Sequence, residues 1–172
     1  MNNSNQSVEL VPVPEDHKLV LSHLLELYQY DFSDFEGTDV NSLGLYGYSY
    51  LDYYWTEGDR YAYFIKVNGV LAGFAMICGF CCISKEPGTL FLSEFFVLKK
   101  YRKQGIGQQA ALELLKRHPG KWEFTLHPEN HVSHHFWHSV LKTACGEYTV
   151  VDDVPGVYDN HPAQAYLFTV KE

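Results

Sequence analysis

The stretch EFFVLKKYRKQGIG, residues 94–107, decides the fold. It begins inside an apolar run, Leu90 to Leu98, that has the length and composition of a β-strand. It ends with Gly105 and Gly107, which open a segment with apolar residues at helical spacing, Gly105 to His118. Glycine lets a backbone approach a ligand closely, and a helix amino terminus presents unpaired N–H groups. The stretch therefore predicts a strand–loop–helix unit that binds an anion, most simply a phosphate or pyrophosphate.

Basic residues concentrate beside this loop, although the chain as a whole is acidic. Lys plus Arg number 13 and Asp plus Glu number 21 among 172 residues, which gives a formal net charge of −8. Lys99, Lys100, Arg102 and Lys103 lie next to the two glycines. This concentration favours a multiply charged anionic cofactor. The acidic remainder disfavours nucleic acid as a partner, because phosphate neutralisation needs a basic face, and suits an amine better.

Two other kinds of phosphate loop fit the sequence less well. The P-loop pattern G-x-x-x-x-G-K-[ST] is absent. The segment GIGQQA, residues 105–110, is a relaxed form of the dinucleotide pattern, but its strand lies far from the amino terminus in hairpin-rich sequence. On spacing alone, a Gly-x-Gly also fits a structural turn that begins a helix.

The rest of the chain predicts a mixed α/β fold with the order βααβββαβαββ. Asp16 is the expected cap of the first helix, which breaks within residues 31–41, and Asn68-Gly69 is a strong hairpin signal. Gly73 and Gly79 suggest bulges or close contacts in the sheet. We predict strands over residues 8–13, 61–67, 70–83, 90–98, 122–126, 147–151 and 165–170, a short helix within 42–57, and helices over 105–118 and 130–141.

The chain ends and the cysteines indicate a cytoplasmic protein. Residues 1–6 are polar, and we expect them to be frayed. The amino terminus has neither a basic region nor an apolar core, so it predicts no secretory signal, and no apolar run approaches the ~18 residues of a membrane span. Three of the four cysteines lie within residues 78–82, which is not the spacing of a secreted disulfide framework, so we expect reduced thiols.

Cysteine and histidine spacings raise the question of a metal site. Cys78-x-x-Cys81 has zinc spacing, and two His pairs within residues 131–138 have i,i+4 spacing on a predicted helix. The pairs are far apart in sequence, and residues three apart on a strand face opposite sides. We therefore predict no metal site, with the cysteines as small apolar packing residues and the histidines on a solvated helix face with one or two members beside the cofactor.

Two motifs resemble the GNAT family of N-acetyltransferases. Residues 102–107, RKQGIG, match its R/Q-x-x-G-x-G/A signature, and Val97 to Arg102 has its V-x-x-x-x-R spacing. Residues 130–137, NHVSHHFW, resemble its second motif, N-x-x-A-x-x-F-Y, with Ser133 in place of Ala and Trp137 in place of Tyr. The element order is similar over nearly the whole chain, and the closest likeness is to bacterial predicted acetyltransferases of unassigned substrate.

The resemblance implies one GNAT-like acyl-CoA N-acyltransferase domain over residues 1–172, with a mixed, mostly antiparallel central sheet flanked by helices. It also implies that acetyl-CoA is the cofactor and that an acetyl group moves directly to an amine. The strand before the loop would splay from the next strand, and the pantetheine arm would insert there. The implied cofactor-binding residues are Phe96, Val97, Leu98, Arg102, Lys103, Gln104, Gly105, Ile106, Gly107, Gln108, Asn130, Ser133 and Phe136.

Direct transfer needs a base for the amine and favours a donor near the leaving thiolate. Glu94 is the best candidate base, because it lies on the strand that ends at the cofactor; alternatively it orients a loop or pairs with a cation. Trp137 stands where the family often has Tyr, and its indole N–H would contact the sulfur or wall the acyl pocket. A phenol from Tyr148, Tyr158 or Tyr166 is the alternative.

The family's usual acceptor side maps onto the first helix and the following loop. Aromatic rings beside carboxylates suit a cationic amine, although the same tyrosines would also pack with their hydroxyls outward. The candidates are Tyr28, Tyr30, Asp31, Asp34, Tyr46 and Tyr50, with residues 30–35 as one wall of the pocket.

The acceptor class and the activity itself leave alternatives open. The amine acceptor would be an amino acid, a polyamine, an aminoglycoside or a peptide amino terminus, and the protein a monomer or homodimer. The competing hypothesis is a non-catalytic acyl-CoA-binding module, which the Trp137 departure favours.

Overall fold

The computed structural model describes residues 6–158 and 161–171. Across them, helices and strands follow one another in the predicted order βααβββαβαββ. The strands are β1 (Val8–Pro12), β2 (Tyr61–Val67), β3 (Val70–Cys78), β4 (Leu90–Val97), β5 (Gly120–Leu126), β6 (Tyr148–Val154) and β7 (Ala163–Val170). The helices are α1 (Lys18–Glu36), α2 (Tyr53–Thr56), α3 (Ile106–Arg117) and α4 (His131–Ala144). Part of the expected frayed end, residues 1–5, lies outside the described residues.

The strands described here form one sheet in the order β1-β2-β3-β4-β5-β7-β6. Only the β4–β5 pair is parallel, and the other five pairs are antiparallel. This confirms the predicted mixed, mostly antiparallel central sheet. The parallel pair requires a crossover connection, which α3 supplies.

Helices cover both faces of the sheet. On one face, α3 and α4 bury an apolar cluster that includes Ile106, Leu114 and Leu141. On the other face, α1 and α2 bury a separate cluster that includes Leu21 and Leu25. The side chains of a strand alternate between the two faces, so each residue of β4 faces either the α3–α4 side or the α1–α2 side.

The β2–β3 hairpin forms as its turn residues predict. Asn68 and Gly69 both have positive φ, 50° and 78°, as a two-residue hairpin turn of the I′ type requires. Farther along β3, a Cβ added to Gly73 would lie 2.0 Å from the carbonyl oxygen of Phe96. The predicted close contact at Gly73 is therefore confirmed, and it lets β3 approach the end of β4.

Two local predictions are wrong. β3 ends at Cys78 and not near Ile83, because residues 82–84 turn away to donate their backbone N–H groups to Glu123 on β5. Asp16 does not cap α1: it lies inside a 3₁₀ turn, Glu15–His17, and no side chain caps either this turn or α1.

The first helix ends within the predicted range. The backbone of Gly37 adopts the left-handed conformation, with φ of 65°, directly after Glu36. None of the helices within the described part of the chain combines the length and apolar composition needed to cross a membrane.

Candidate active site

The two parallel strands pair near the start of β4 and then separate toward their carboxyl ends. Among the described residues, β4 and β5 pair only at Leu90 with Trp122 and at Phe91 with Glu123. Beyond these pairs, β4 continues to Val97 and β5 to Leu126 without hydrogen bonding to each other. The result is a wedge-shaped opening between the carboxyl ends of the two strands. It exposes backbone groups that a ligand can satisfy in place of the neighbouring strand.

The loop after β4 presents backbone N–H groups at the open end of the wedge. Lys103 and Gly105 have positive φ, 59° and 77°, and α3 begins directly afterwards at Ile106. No side chain caps the amino terminus of α3. The first N–H groups of a helix lack intrahelical partners and carry the positive end of its dipole. This geometry suits a phosphate or pyrophosphate, as the sequence predicts.

Gly107 also has a packing role. A Cβ at this position would lie 3.2 Å from Phe136 of α4 and 3.6 Å from a methyl group of Val97. The missing side chain therefore lets the first turn of α3 approach both α4 and the end of β4. The structural interpretation of this glycine therefore applies, and its contact with the cofactor stays a prediction.

Arg102 of the family-like signature holds the loop in place. Its Nε donates to the carbonyl oxygen of Val97 at 2.7 Å, and its Nη2 donates to Asp31 of α1 at 2.6 Å. Lys99 Nζ lies 3.0 Å from the other carboxylate oxygen of Asp31. Burial alone would raise the pKa of Asp31, but the hydrogen bonds from Arg102 and Lys99 outweigh it and lower that pKa. Asp31 thus ties α1 to the cofactor loop.

A β-bulge turns Glu94 toward α1. Met76 of β3 pairs with Glu94, whereas the next residue, Ile77, pairs with Leu92, so Ser93 is an extra residue in β4. Leu92 packs in the α3–α4 cluster, and without the extra residue Glu94 would share that face. With it, Glu94 faces the same side as Met76, which belongs to the α1–α2 cluster.

The surroundings of Glu94 bring its pKa close to neutral. Burial raises its pKa from 4.5 to about 7, and the negative charge of Glu36 acts in the same direction. Hydrogen bonds from the phenols of Tyr28 and Tyr48 act against this rise, and the Tyr48 hydroxyl donates to Oε1 at 3.0 Å. Burial, followed by the charge of Glu94, raises the pKa of both phenols, so they remain hydrogen-bond donors.

A protein-family comparison identifies the family of the chain. The model of the acetyltransferase (GNAT) family matches residues 23–141. The chain belongs to the GNAT family of acetyltransferases. As a GNAT protein it is an N-acetyltransferase that takes the acetyl group from acetyl-CoA.

Solved GNAT structures share the fold at low sequence identity. An acetyltransferase from Thermus thermophilus has 15% identity and a TM-score of 0.68, covering 95% of this chain and 97% of its own. Spermidine N-acetyltransferase from Vibrio cholerae, in complex with CoA and spermine, has 9% identity and a TM-score of 0.67, with 95% of each chain covered. RimL, a ribosomal alpha-N-protein acetyltransferase in complex with coenzyme A, has 13% identity and a TM-score of 0.65, covering 95% of this chain and 94% of its own. No curated protein sequence is significantly similar to the chain.

The second GNAT-like motif forms the start of α4. Asn130 is buried, and its side-chain oxygen accepts from the backbone N–H of Ser133 at 3.1 Å, which caps the helix. Phe136 stacks on Phe95 of β4, with ring centroids 5.8 Å apart. These contacts place the motif beside β4 and Gly107. Direct contact of Asn130, Ser133 and Phe136 with the cofactor stays a prediction.

Trp137 lies in the core on the opposite face of β4 from Glu94. It is 4% exposed and packs against Phe95, Phe124 and Phe136, with ring centroids 4.9–5.2 Å apart. This packing gives Trp137 a structural role, and its predicted catalytic role stays a prediction.

The structure distinguishes the three tyrosines that the sequence could not rank. Tyr166 hydrogen-bonds to His134 and Tyr148 to His138, both on α4. Tyr158 has its pKa raised by burial and then by the negative charges of Glu36 and Glu94. Of the three, Tyr158 is the one whose phenol is coupled electrostatically to Glu94.

The predicted acceptor residues divide into two groups. Tyr28 lies beside Glu94, as described above, whereas the carboxylate of Asp31 is engaged by Lys99 and Arg102. Tyr30 is 67% exposed, and Asp34, like Tyr50, is also exposed. Tyr46 is held through its backbone N–H, which donates to Glu26 at 2.8 Å. A role of Tyr30, Asp31, Asp34 and Tyr46 in acceptor binding stays a prediction.

Three residues near the site were missed by the sequence analysis. Tyr48 is one of several aromatic residues in residues 42–57, and nothing in their spacing distinguishes it as the partner of Glu94. His127 and Glu123 lie on β5 or directly after it, and both are fully buried. The position of Glu123 between Trp122 and Phe124 could have indicated that it lies on a buried strand. The same pattern could not have identified its hydrogen-bond partners.

Cys78 and Cys81 are buried in the sheet region, and His134 and His138 hydrogen-bond to tyrosines. Within residues 6–158 and 161–171, no group of three or more His, Cys, Asp or Glu side chains is placed to hold a metal ion. All four cysteines are free thiols. Burial raises the pKa of Cys81 to about 12, which keeps it protonated and unreactive.

Proposed function

We propose that residues 1–172 act as one acetyltransferase domain that holds acetyl-CoA between β4 and β5 and uses Glu94 as the base. The observation that carries this proposal is the position of Glu94. It lies on a strand bordering the wedge, on the α1 side, and burial brings its pKa to about 7. A base is most effective when its pKa is near the working pH.

The residues around the wedge fit the cofactor. The pantetheine arm would lie along the wedge-facing edge of β4 at Phe96 to Leu98, where the carbonyl oxygen of Val97 already accepts from Arg102 and the N–H of Leu98 donates to Ala72. The N–H groups of Lys103 to Gln108 suit a pyrophosphate. Arg102 contributes by fixing the shape of this loop through Val97 and Asp31. Lys100 and Lys103 supply positive charge beside it.

The reaction needs a base because most amines are protonated at neutral pH. Bound acetyl-CoA supplies the acetyl thioester. Glu94 takes the proton that the amine must lose before its nitrogen attacks. The hydroxyls of Tyr28 and Tyr48 hold the carboxylate in one orientation while it accepts this proton. Tyr158, kept protonated by its raised pKa, hydrogen-bonds to Thr125 and remains under the influence of the charge of Glu94.

The charges on the α1 side favour a cationic amine from a small molecule or a peptide. The negative charges of Glu36 and Glu94 both contribute to the raised pKa values of the phenols of Tyr28 and Tyr158. Aromatic rings beside carboxylates attract ammonium groups through cation–π and ionic interactions. The solved relatives named for spermidine and for a ribosomal protein amino terminus are consistent with either kind of acceptor.

Release of free CoA thiol in the presence of a panel of amines tests the proposal. We expect turnover with at least one amine class, and turnover at least about a hundredfold slower with Glu94→Gln at the same protein concentration. Binding of acetyl-CoA without turnover across amino acids, polyamines, aminoglycosides and peptides would favour the non-catalytic acyl-CoA-binding module instead.

Acetyl-CoA and CoA are expected to raise the melting temperature by similar amounts. A ligand that binds only the native state adds about 2.7 kcal/mol of stability at a hundred-fold excess over its Kd. Dephospho-CoA is expected to give a smaller shift, because it lacks the 3′-phosphate that Lys100 or Lys103 would meet. Differential scanning fluorimetry measures all three shifts. The absence of any shift at millimolar acetyl-CoA would contradict the assignment of the wedge.

Gly105→Ala is expected to raise the Kd for acetyl-CoA about tenfold, because alanine strains the left-handed backbone that aims the N–H groups of the loop. The matched control is Gly146→Ala. Gly146 follows α4 at the end away from the wedge, its φ is 76° against 77° for Gly105, and a Cβ there meets nothing within 4 Å.

The two glycine variants separate a ligand effect from a folding effect. Both are expected to lose about 1–2 kcal/mol of stability, since each forces a side chain into the left-handed region. Only Gly105→Ala is expected to bind acetyl-CoA more weakly in calorimetric titration. Equal affinities in the two variants would show that the loop is a structural turn.

A further inference from the structure

His127 is a fully buried polar side chain on the α1 side of the sheet. It directly follows Leu126, the last residue of β5, and its exposed fraction is 0%. Leu126 packs in the α3–α4 cluster, and the ring of His127 contacts Phe35 of α1 at a centroid distance of 5.7 Å. His127 therefore lies at the open end of the wedge, on the side where the acceptor is proposed to bind.

Hydrogen bonding fixes the tautomer of this imidazole. The backbone N–H of Glu129 donates to Nδ1 of His127 at 3.2 Å, so Nδ1 carries the lone pair and Nε2 carries the proton. Burial, together with the neighbouring His161, lowers the pKa of His127 and keeps the ring neutral. At neutral pH the ring thus offers one fixed donor, Nε2–H.

That donor has no hydrogen-bond partner among the described residues. Its nearest ring neighbours are Phe35, Tyr158 at 4.9 Å and His161 at 5.0 Å between centroids. Leaving a buried donor unsatisfied costs about 1–3 kcal/mol, so such groups call for an explanation such as a ligand. Tyr158 lies on the same acidic side of the sheet, since burial and then the negative charges of Glu36 and Glu94 raise the pKa of its phenol.

We propose that His127 determines acceptor specificity by donating Nε2–H to an uncharged carbonyl oxygen of the amine substrate, which reaches the buried ring when the exposed side chain of His161 moves aside. The substrate class is an amine that carries a nearby amide, as in an amino-acid amide or a peptide amino terminus. This inference rests on the proposed acetyltransferase function. A carboxylate at this position is disfavoured by the negative charges of Glu36 and Glu94, and a simple polyamine has no oxygen to accept the bond.

The test compares acceptors with and without the carbonyl group at equal concentrations of the unprotonated amine, because a neighbouring amide also lowers the pKa of the amine. Alaninamide and a short peptide beginning with alanine are matched with alkylamines of similar size. For the wild-type protein, we expect kcat/KM to be at least tenfold higher with the carbonyl-bearing acceptors. His127→Leu is expected to abolish this preference by raising KM for the carbonyl-bearing acceptors. His127→Gln is expected to retain it, because the side-chain amide of glutamine also offers an N–H donor at a similar distance from the backbone.

Binding without turnover provides a second readout. In calorimetric titration of the CoA-bound protein, alaninamide is expected to bind more tightly than its alkylamine match to the wild type and to His127→Gln, but not to His127→Leu. His23→Leu is the control for a histidine lost from an exposed position on α1. It is expected to behave as wild type in both assays.

Three outcomes would decide against the proposal or against the function on which it rests. Equal acetylation of amides and alkylamines by the wild-type protein would overturn the proposal. This result does not depend on whether His127→Leu folds. Water would then be the partner of Nε2. Failure of every amine would instead refute the proposed function. Retention of the carbonyl preference in a folded His127→Leu protein would also overturn the role of His127.

Discussion

Replacing Glu94 with glutamine is expected to lower kcat by about 10²–10⁴-fold, the usual contribution of a general base. The affinity for acetyl-CoA is expected to remain close to wild type, because Glu94 faces α1 and not the phosphate-binding loop. Glutamine keeps the size of the side chain and accepts the hydrogen bond from Tyr48, but it cannot take a proton at neutral pH. Steady-state kinetics with the best amine of the panel measure the effect.

The pH dependence of the wild-type rate tests the same role independently. Glu94 acts as a base only when it is ionised, so kcat is expected to rise as the pH increases through about 7, where this carboxyl titrates. The groups that face Glu94 are the phenols of Tyr28 and Tyr48 and the charge of Glu36. Both phenols have raised pKa values, so they titrate far above neutral pH. Glu94→Gln is expected to lose this limb of the profile.

The stability of Glu94→Gln is expected to change in the opposite direction from its activity. Between pH 4.5 and about 7 the native protein keeps a proton on Glu94 that the unfolded chain releases, so wild-type stability falls as the pH rises through this window. Glutamine resembles the protonated acid and avoids this loss. At pH 8 the variant is expected to be more stable than wild type by about 1–3 kcal/mol.

A purely structural Glu94 would give a different result. If the carboxylate served only to anchor Tyr28 and Tyr48, Glu94→Gln would lower the melting temperature at pH 8 and leave the pH profile unchanged. Glu113→Gln, which removes a surface ion pair with Arg117, is the matched control and is expected to alter neither.

The features that the sequence predicts well are local ones. Hydrophobic periodicity and turn residues such as Asn68-Gly69 depend on neighbours along the chain, and the predicted element order is confirmed throughout. The strand–loop–helix unit around Gly105 was likewise predicted, because positive φ and an uncapped helix start are properties of a short segment. The wedge between β4 and β5 followed only from the family resemblance.

Features that depend on distant partners could not be predicted from residue type. Nothing in the residue types indicated that Asp31, a predicted acceptor-binding residue, pairs with Arg102, which is 71 residues away. The direction of Glu94 depends on the extra residue at Ser93, and an alternating pattern gives no sign of such a bulge. The end of β3 depends on Glu123, which draws residues 82–84 out of the sheet.

Glu123→Gln is expected to destabilise the protein by about 3 kcal/mol, which corresponds to a fall in Tm of roughly 6–12 °C for a chain of this length. The carboxylate is fully buried and accepts three backbone N–H groups: Cys82 at 2.7 Å and Ile83 at 2.9 Å on Oε1, and Ser84 at 2.7 Å on Oε2. Glutamine has one oxygen, so in either orientation its NH₂ group faces at least one of these donors. Charge-assisted hydrogen bonds of this kind are about twice as strong as neutral ones.

The position of Glu123 makes this loss of stability bear on function. Glu123 pairs with Phe91 at the last contact before β4 and β5 separate, so its carboxylate fixes the loop before β4 to the vertex of the wedge. We therefore expect the folded fraction of Glu123→Gln to bind acetyl-CoA more weakly as well. The control, Glu113→Gln, is expected to change stability by less than about 0.5 kcal/mol and to leave the affinity for acetyl-CoA unchanged. Thermal melts with and without acetyl-CoA measure both quantities on one sample. A Tm of Glu123→Gln within about 2 °C of wild type would contradict the expected loss of ~3 kcal/mol. It would mean that water or a rearranged loop satisfies the three N–H groups. The vertex of the wedge would then be held by the strand pairing alone.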